Sequence, residues 1–352
     1  MDFGVVNAKI DDIGYFTFAE ELGFTHGWVT DSQMIRSNPW AVLALVSQAT
    51  RKMRIGTGVA VSGLRLAPVL ANSIATINRL APGRTFLGVG TGNTAMRMMG
   101  QPPMPVKEFD EYLRVVRALI RGEEVDYTLR GRTHPIKFLM RDYNYLDVEH
   151  HIPLYVAGMG PRAQGLAGKH GDGLVTNIPR GGTIAQAVAN ARAGAEAAGR
   201  TLDDFHTVAL VNMIVLQPGE ALNSERVVGE VGASIMANIH YLVDLVKERG
   251  GDPPDYVKPI WNDYMQHNEQ RPAEIRHQKL HESHYSYLDP AEARFITPEI
   301  VKNFCIAGQP EEVVEQLHAL EGDGLGGIMM IPPLDRNRQV IEEFARKVIE
   351  KY

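Results

Sequence analysis

The feature that most constrains this chain is an alternation, repeated eight times, of a short apolar run with a stretch of helical periodicity. The runs at 3–6, 26–30, 53–61, 84–89, 153–156, 173–176, 206–216 and 327–331 are followed by helical patterns at 15–22, 40–50, 68–80, 106–120, 164–168, 183–198, 225–246 and 337–352, respectively. Strands separated by amphipathic helices predict parallel pairing through right-handed crossovers. An open doubly wound sheet satisfies that pattern too. Eight consecutive units fit better a closed α/β structure, a (β/α)8 (TIM) barrel with helices ringing a cylinder of parallel strands.

Two segments break the rhythm. Residues 127–151, rich in Tyr, Arg and Asp, read as a hairpin-like excursion. Residues 250–298 hold Gly250-Gly251, Pro253-Pro254, several aromatic residues and a His/Glu/Arg-rich helix. Insertions of that size form lids, substrate walls or subunit contacts more often than loose loops. With both treated as insertions, residues 1–352 are expected to form a single barrel domain. A composition of 44% hydrophobic and 22% charged residues suits a globular chain. The net charge of -6 and the absence of a basic stripe speak against a nucleic-acid partner. The single cysteine, Cys305, excludes an intramolecular disulfide, and its apolar neighbours Phe304 and Ile306 make it a packing residue. The first residues lack the charged-then-apolar pattern of a signal peptide, and no apolar run reaches the roughly 20 residues that span a bilayer. A cytoplasmic enzyme without a membrane partner is expected.

Catalytic groups of such a barrel stand at the C-terminal ends of its strands. The second run ends Trp28-Val29-Thr30-Asp31-Ser32-Gln33, which places an acid either at the barrel mouth or as the N-cap of a helix. The third ends Gly56-Thr57-Gly58-Val59-Ala60-Val61, and the fourth Gly88-Val89-Gly90-Thr91-Gly92-Asn93-Thr94. Glycine there lets backbone approach a ligand. Neither run is a nucleotide motif: the P-loop lysine is missing, and Asn93 stands where G-x-G-x-x-G requires its third glycine. The fifth ends Ala157-Gly158-Met159-Gly160-Pro161-Arg162. Proline at a first helical position, preceded by glycine, leaves the helix N–H groups open to a phosphate, and Arg162 adds a cation. A tight strand-to-helix turn would read the same way.

Taken in order, these strand ends resemble the luciferase-like monooxygenase family of flavin monooxygenases and F420-dependent reductases. The resemblance runs from Phe3 to about Val348. It also rests on Ala75-Thr76-Ile77-Asn78-Arg79-Leu80-Ala81-Pro82-Gly83-Arg84, on residues 108–122 and on Gly308-Gln309-Pro310-Glu311-Glu312-Val313. The methylenetetrahydromethanopterin reductase-like branch is the most similar, through Asp31-Ser32-Gln33 and Gly90-Thr91-Gly92-Asn93-Thr94-Ala95. The resemblance implies a cofactor lying across the barrel mouth, F420 or alternatively FMN. Asp31 matches a position facing the ring, and Gly58-Val59 a site of a non-prolyl cis peptide. Ala157, Gly158, Met159, Gly160, Pro161 and Arg162 would hold the cofactor phosphate, flanked by Thr176 and Asn177; Ala60, Gly92 and Asn93 complete the cofactor set. Asp31, Ser32 and Asn93 form the expected catalytic set. The resemblance further implies a homodimer, a small-molecule substrate and a separate flavin or F420 reductase.

One departure limits the transfer. F420-dependent glucose-6-phosphate dehydrogenases carry His and Glu where this chain has Ser32 and Asn93. A hydroxyl and an amide cannot serve as general base and acid near neutral pH, so sugar-phosphate oxidation is not expected. Hydride transfer needs such a pair less, because the cofactor supplies the difficult chemistry and the protein positions it. Ser32, Gln33 and Asn93 would then orient carbonyl groups. The alternative is a two-component monooxygenase using reduced FMN and oxygen. His277, His281 and His284 have helical spacing, but their neighbours Arg276, Lys279 and Glu282 suit a solvated or lid-lining face, and no metal is expected. Met96, Met98 and Met99 suit a pocket wall or a core equally. Trp261, Tyr264, His267, Tyr285 and Tyr287 are expected to wall the substrate.

Overall fold

The computed structural model describes residues 1–178 and 182–352. Its strands are β1 (Asp2–Val6), β2 (His26–Val29), β3 (Arg54–Val61), β4 (Thr85–Gly90), β5 (Val125–Leu129), β6 (Arg132–Ile136), β7 (Leu154–Ala157), β8 (Gly173–Asn177), β9 (His206–Leu210), β10 (Asn212–Val215), β11 (Cys305–Gly308) and β12 (Gly327–Met330). Eight of them close into a barrel in the order β1-β12-β9-β8-β7-β4-β3-β2. Each barrel pair is parallel, and β1 meets β12 with Asp2 opposite Gly327, so the expected TIM barrel is present.

Strand side chains alternate between the barrel interior and the helix layer. Inward positions carry Val6, Trp28, Phe86, Tyr155, Val175, Val208 and Met329, which fill the cylinder. Room for the rings comes from glycine. A Cβ on Gly56 would stand 2.3 Å from Phe86 Cδ2, and one on Gly4 would stand 2.7 Å from Trp28 Nε1. Trp28 and Phe86 therefore approach to 4.3 Å between centroids. His26 and His206 close the N-terminal end, with Tyr155 Oη within 2.9 Å of His206 Nδ1. Outward positions meet helix residues such as Phe16, Leu43, Ile74, Phe109 and Phe344 in the main core. Each such side chain contributes about 1.5–3 kcal/mol on burial.

The seventh unit differs from expectation. The run 206–216 is two strands, because the chain leaves the barrel at Val211 and β10 pairs instead with β11, Asn212 opposite Cys305. Helix Glu225–Arg249 does not cover the barrel: Val227, Val231, Ile235, Ile239 and Val243 pack in a second core with Tyr264, Phe295 and Phe304. The barrel's seventh helix is Pro310–Gly322, whose Val313 and Leu317 join the main core. The insertion thus has a core of its own, drawn from residues 214–304. A helix with an apolar stripe does not encode which core it joins. Cys305 opens β11, and burial raises its thiol well above the ordinary range, which suits packing rather than nucleophilic chemistry. In the other excursion, β5 and β6 form the expected antiparallel hairpin. Among the described residues no helix is long and apolar enough to cross a membrane.

Candidate active site

The C-terminal ends of the barrel strands open into a cavity of about 880 Å³. The strand ends singled out in the sequence converge there. Asp31, Ser32, Gly58, Val59, Gly92, Asn93 and the whole run Ala157–Arg162 line it. Ala60 does not; its side chain faces the main core. Thr176 and Asn177 lie buried on β8 without reaching the cavity wall. Thr176 follows the inward Val175, so the strand alternation turns it toward the helix layer.

Asp31 stands at the mouth and caps no helix. Its fully buried carboxylate accepts the Val61 N–H at 3.1 Å and the fork of Arg65, with Nη2 at 3.2 Å from Oδ1 and Nη1 on Oδ2. Tyr112 Oη donates to the Arg65 carbonyl at 3.1 Å and anchors that partner. Asp31 is thus an ion-paired carboxylate that ties the end of β2 to the end of β3. Arg65 lay in the sequence as an isolated cation after a strand. The signal for its role is that a buried acid needs a partner.

The Gly58–Val59 peptide is cis, and the β3–β4 register shifts between Thr57 and Ala60. Val59 projects inward between β4 and the mouth: a Cβ on Gly90 would meet Val59 Cγ2 at 2.9 Å and Ala157 Cβ at 3.2 Å. Gly92 adopts φ 85° and starts the short helix Asn93–Arg97. Asn93 Oδ1 accepts from Arg97 Nε at 2.5 Å. Because arginine only donates, this bond fixes the amide with its N–H groups free to face a ligand.

On β7, Gly158 donates its N–H to the Val175 carbonyl at 2.9 Å, and a Cβ there would lie 2.8 Å from the backbone of Ala163 and Gln164. Only glycine lets the chain turn so tightly into helix Pro161–His170. Gly160 is the N-cap and offers no side-chain acceptor; a Cβ on it would meet nothing within 4 Å. The first-turn N–H groups of Arg162 and Ala163 have no helical partner by construction. Arg162 is exposed and makes no ion pair among the described residues. Together these groups make a cradle for an anion.

The remaining wall comes from the insertion. Tyr241, Leu245 and Glu248 form one stripe of helix Glu225–Arg249 and face the cavity with His284 and Tyr285. Arg97 joins this wall to the β4 loop through Glu248, with Nη2 at 2.7 Å, and through Asp244 at 3.7 Å. Asp244 also pairs with the buried His281 at 2.9 Å. Behind it, Glu292 binds His240 (3.1 Å), Tyr264 (3.0 Å) and Arg271 (2.5 Å). Burial alone would raise Glu292, but His240 and Arg271 overcome it and hold the carboxyl at about 2. Of the aromatic residues expected to wall the substrate, only Tyr285 does so. Tyr264 belongs to the Glu292 network and Trp261 to the insertion core, while His267 and Tyr287 do not line the cavity. The helix bearing His277 stops at Lys279, so His277, His281 and His284 do not share one helix face. Met96, Met98 and Met99 do not reach the wall, whose methionines are Met104, Met159 and Met329.

Residues 11–326 match the family model described as luciferase-like monooxygenase. The chain is 28% identical to 5,10-methylenetetrahydromethanopterin reductase of Archaeoglobus fulgidus, over 100% of this chain and 99% of that one. It is 31% identical to F420-dependent glucose-6-phosphate dehydrogenase of Beutenbergia cavernae, covering 72% of this chain and 84% of the relative. The coenzyme F420-dependent tetrahydromethanopterin reductase of Methanopyrus kandleri superposes with a TM-score of 0.69 at 20% identity, covering 100% and 99% of the two chains. A barrel with this mouth, matched by the family model over most of its length, belongs to the luciferase-like monooxygenase family and is an oxidoreductase of that family.

Proposed function

We propose that the protein is an F420-dependent oxidoreductase that moves a hydride to or from a small organic substrate at the barrel mouth. The observation that carries this is the glycine-built start of helix Pro161–His170, a cradle for a phosphate at the edge of a cavity large enough for a ring cofactor. Gly58, Val59, Ala157 and Met159 would hold the ring, and Gly158, Gly160 and Arg162 the phosphate. When bound, a deazaflavin supplies the hydride chemistry. Ser32 and the Asn93 amide, both on the cavity wall, would hold a substrate oxygen by hydrogen bonding, and Tyr241, Leu245 and Tyr285 would exclude water. Asp31, committed to Arg65 and Val61, positions the wall rather than exchanging a proton. The missing His/Glu pair at Ser32 and Asn93 sets this chain apart from sugar-phosphate oxidation.

In this reading the protein is a cytoplasmic homodimer served by a separate reductase that renews the cofactor. The exposed Leu45 (47%), Leu66 (47%) and Val69 (49%), on and beside helices Pro39–Ala49 and Ala67–Leu80, support a self-association face. A fluorescence titration tests the cofactor. F420 is expected to bind in the micromolar range, about tenfold or more tighter than oxidised or reduced FMN under argon. Preference for reduced FMN overturns the assignment and makes the chain the oxygenating component of a two-component monooxygenase.

A further inference from the structure

The cavity holds a cation without an anion. Arg36, beyond the end of β2, lines the wall and is partly buried. Its Nη1 donates to Ser286 Oγ at 2.7 Å and its Nη2 to the His284 carbonyl at 2.9 Å, both neutral acceptors. No carboxylate pairs with it among the described residues; burial lowers its pKa and no neighbouring charge offsets that. Of the other arginines beside the mouth, Arg65 is compensated by Asp31 and Arg97 by Glu248 and Asp244, while Arg162, also without an ion pair among the described residues, is exposed and belongs to the anion cradle. A guanidinium has five N–H donors, so two bonds to neutral oxygens leave three available. Withdrawing a cation from water without a counter-charge is costly, and a ligand anion relieves that cost.

The position separates this anion from the cofactor phosphate. Around the ring, β2 is three strands from β7, with β3 and β4 between them, so Arg36 and the Gly160 cradle follow different strands of the rim. Beside Arg36, Tyr285 adopts φ 56°, a left-handed conformation uncommon for an aromatic residue, and lines the cavity. Tyr241 adds a second ring to the same cavity wall. We propose that Arg36 receives an oxyanion group of the substrate, a carboxylate or a phosphate, and that the enzyme acts on small organic acids or phosphate esters whose remainder packs against Tyr241 and Tyr285. This rests on the substrate and cofactor sharing the mouth as described above.

Isothermal titration of the F420-loaded protein with benzoate, phenyl phosphate and benzamide tests it, alongside F420 affinity by fluorescence. One of the two anions is expected to bind about tenfold or more tighter than the neutral amide, and which one does so names the group. Arg36→Met removes that preference while F420 affinity stays within about twofold, since a charge-assisted bond is lost only from the substrate side. Arg36→Lys keeps the charge and retains a reduced preference. Ser286→Ala, which loosens the loop and spares the cation, keeps it in full. Equal binding of all three probes by the unaltered protein overturns the proposal. So does an unchanged preference in Arg36→Met, its loss in Ser286→Ala, or a parallel loss of F420 affinity in Arg36→Met. Failure of the unaltered protein to bind F420 refutes the cofactor reading alone, and the same comparison on cofactor-free protein then decides the role of Arg36.

Discussion

Replacing Arg65 by methionine should destabilise the protein more than any comparable change at the barrel mouth. The Asp31 side chain is 0% exposed and that of Arg65 is 16% exposed. With Arg65 gone, the carboxylate keeps one bond, to the Val61 N–H at 3.1 Å, and no counter-charge. Breaking a fully buried pair costs about 3–5 kcal/mol. Partial exposure of Arg65 lets some water reach the acid, which reduces the expected loss to about 2–4 kcal/mol. Asp31→Asn leaves the more accessible partner, which can turn to solvent, and should cost about 1–2 kcal/mol. The double variant carries no stranded charge. Its loss should fall short of the sum of the single losses by about 1–3 kcal/mol. Urea unfolding at pH 7, comparing midpoints at equal slope, measures all four proteins. A loss below about 1 kcal/mol in Arg65→Met, or strict additivity in the double variant, would refute the buried-pair reading.

Two further outcomes follow from the geometry. Burial pushes His26 down to about 4 against the partial opposition of Asp2, with His206 and Arg54 pushing the same way as burial. The folded state therefore prefers neutral His26, and stability present above pH 6.5 should be lost as pH falls from 6.5 toward 4. The loss attributable to this group is about 3 kcal/mol at 1.36 kcal/mol per unit. It is measured as the difference between the unaltered protein and His26→Asn; parallel pH profiles of the two would exclude it. At the phosphate cradle, Gly158→Ala drives a Cβ into the backbone of Ala163 and Gln164 and should lower stability by about 2 kcal/mol. Gly160→Ala meets open space and should leave stability within about 0.5 kcal/mol while weakening F420 binding. Thermal unfolding with and without F420 separates the two; equal stability losses would refute the distinction.

Much of the mouth was legible in the sequence because it is local. Asp31, Gly58, Asn93 and the run Ala157–Arg162 each sit at a strand end, and in a barrel every strand end reaches the same rim. Once the eightfold rhythm is read, their convergence follows without knowledge of any long-range contact. The glycines were legible for the same reason, since Gly158 and Gly92 answer to backbone demands set within a few residues. Side-chain parity was not legible: a strand end does not say which side chains turn inward, and neither Thr176 nor Ala60 lines the cavity.

What only the tertiary structure decided are the pairings between distant segments. Arg65 completes Asp31 across 34 positions, Arg97 meets Glu248 across 151 and Arg36 meets Ser286 across 250. A charge in the sequence announces a need for a partner but not which partner is within reach. The same holds for helix Glu225–Arg249, whose apolar stripe fitted the barrel equally well until the insertion supplied a second core. Local pattern sets the fold of a repeated βα chain because each unit needs only its neighbours. The polar wall of the cavity depends on contacts between segments far apart in the chain, which no local pattern specifies.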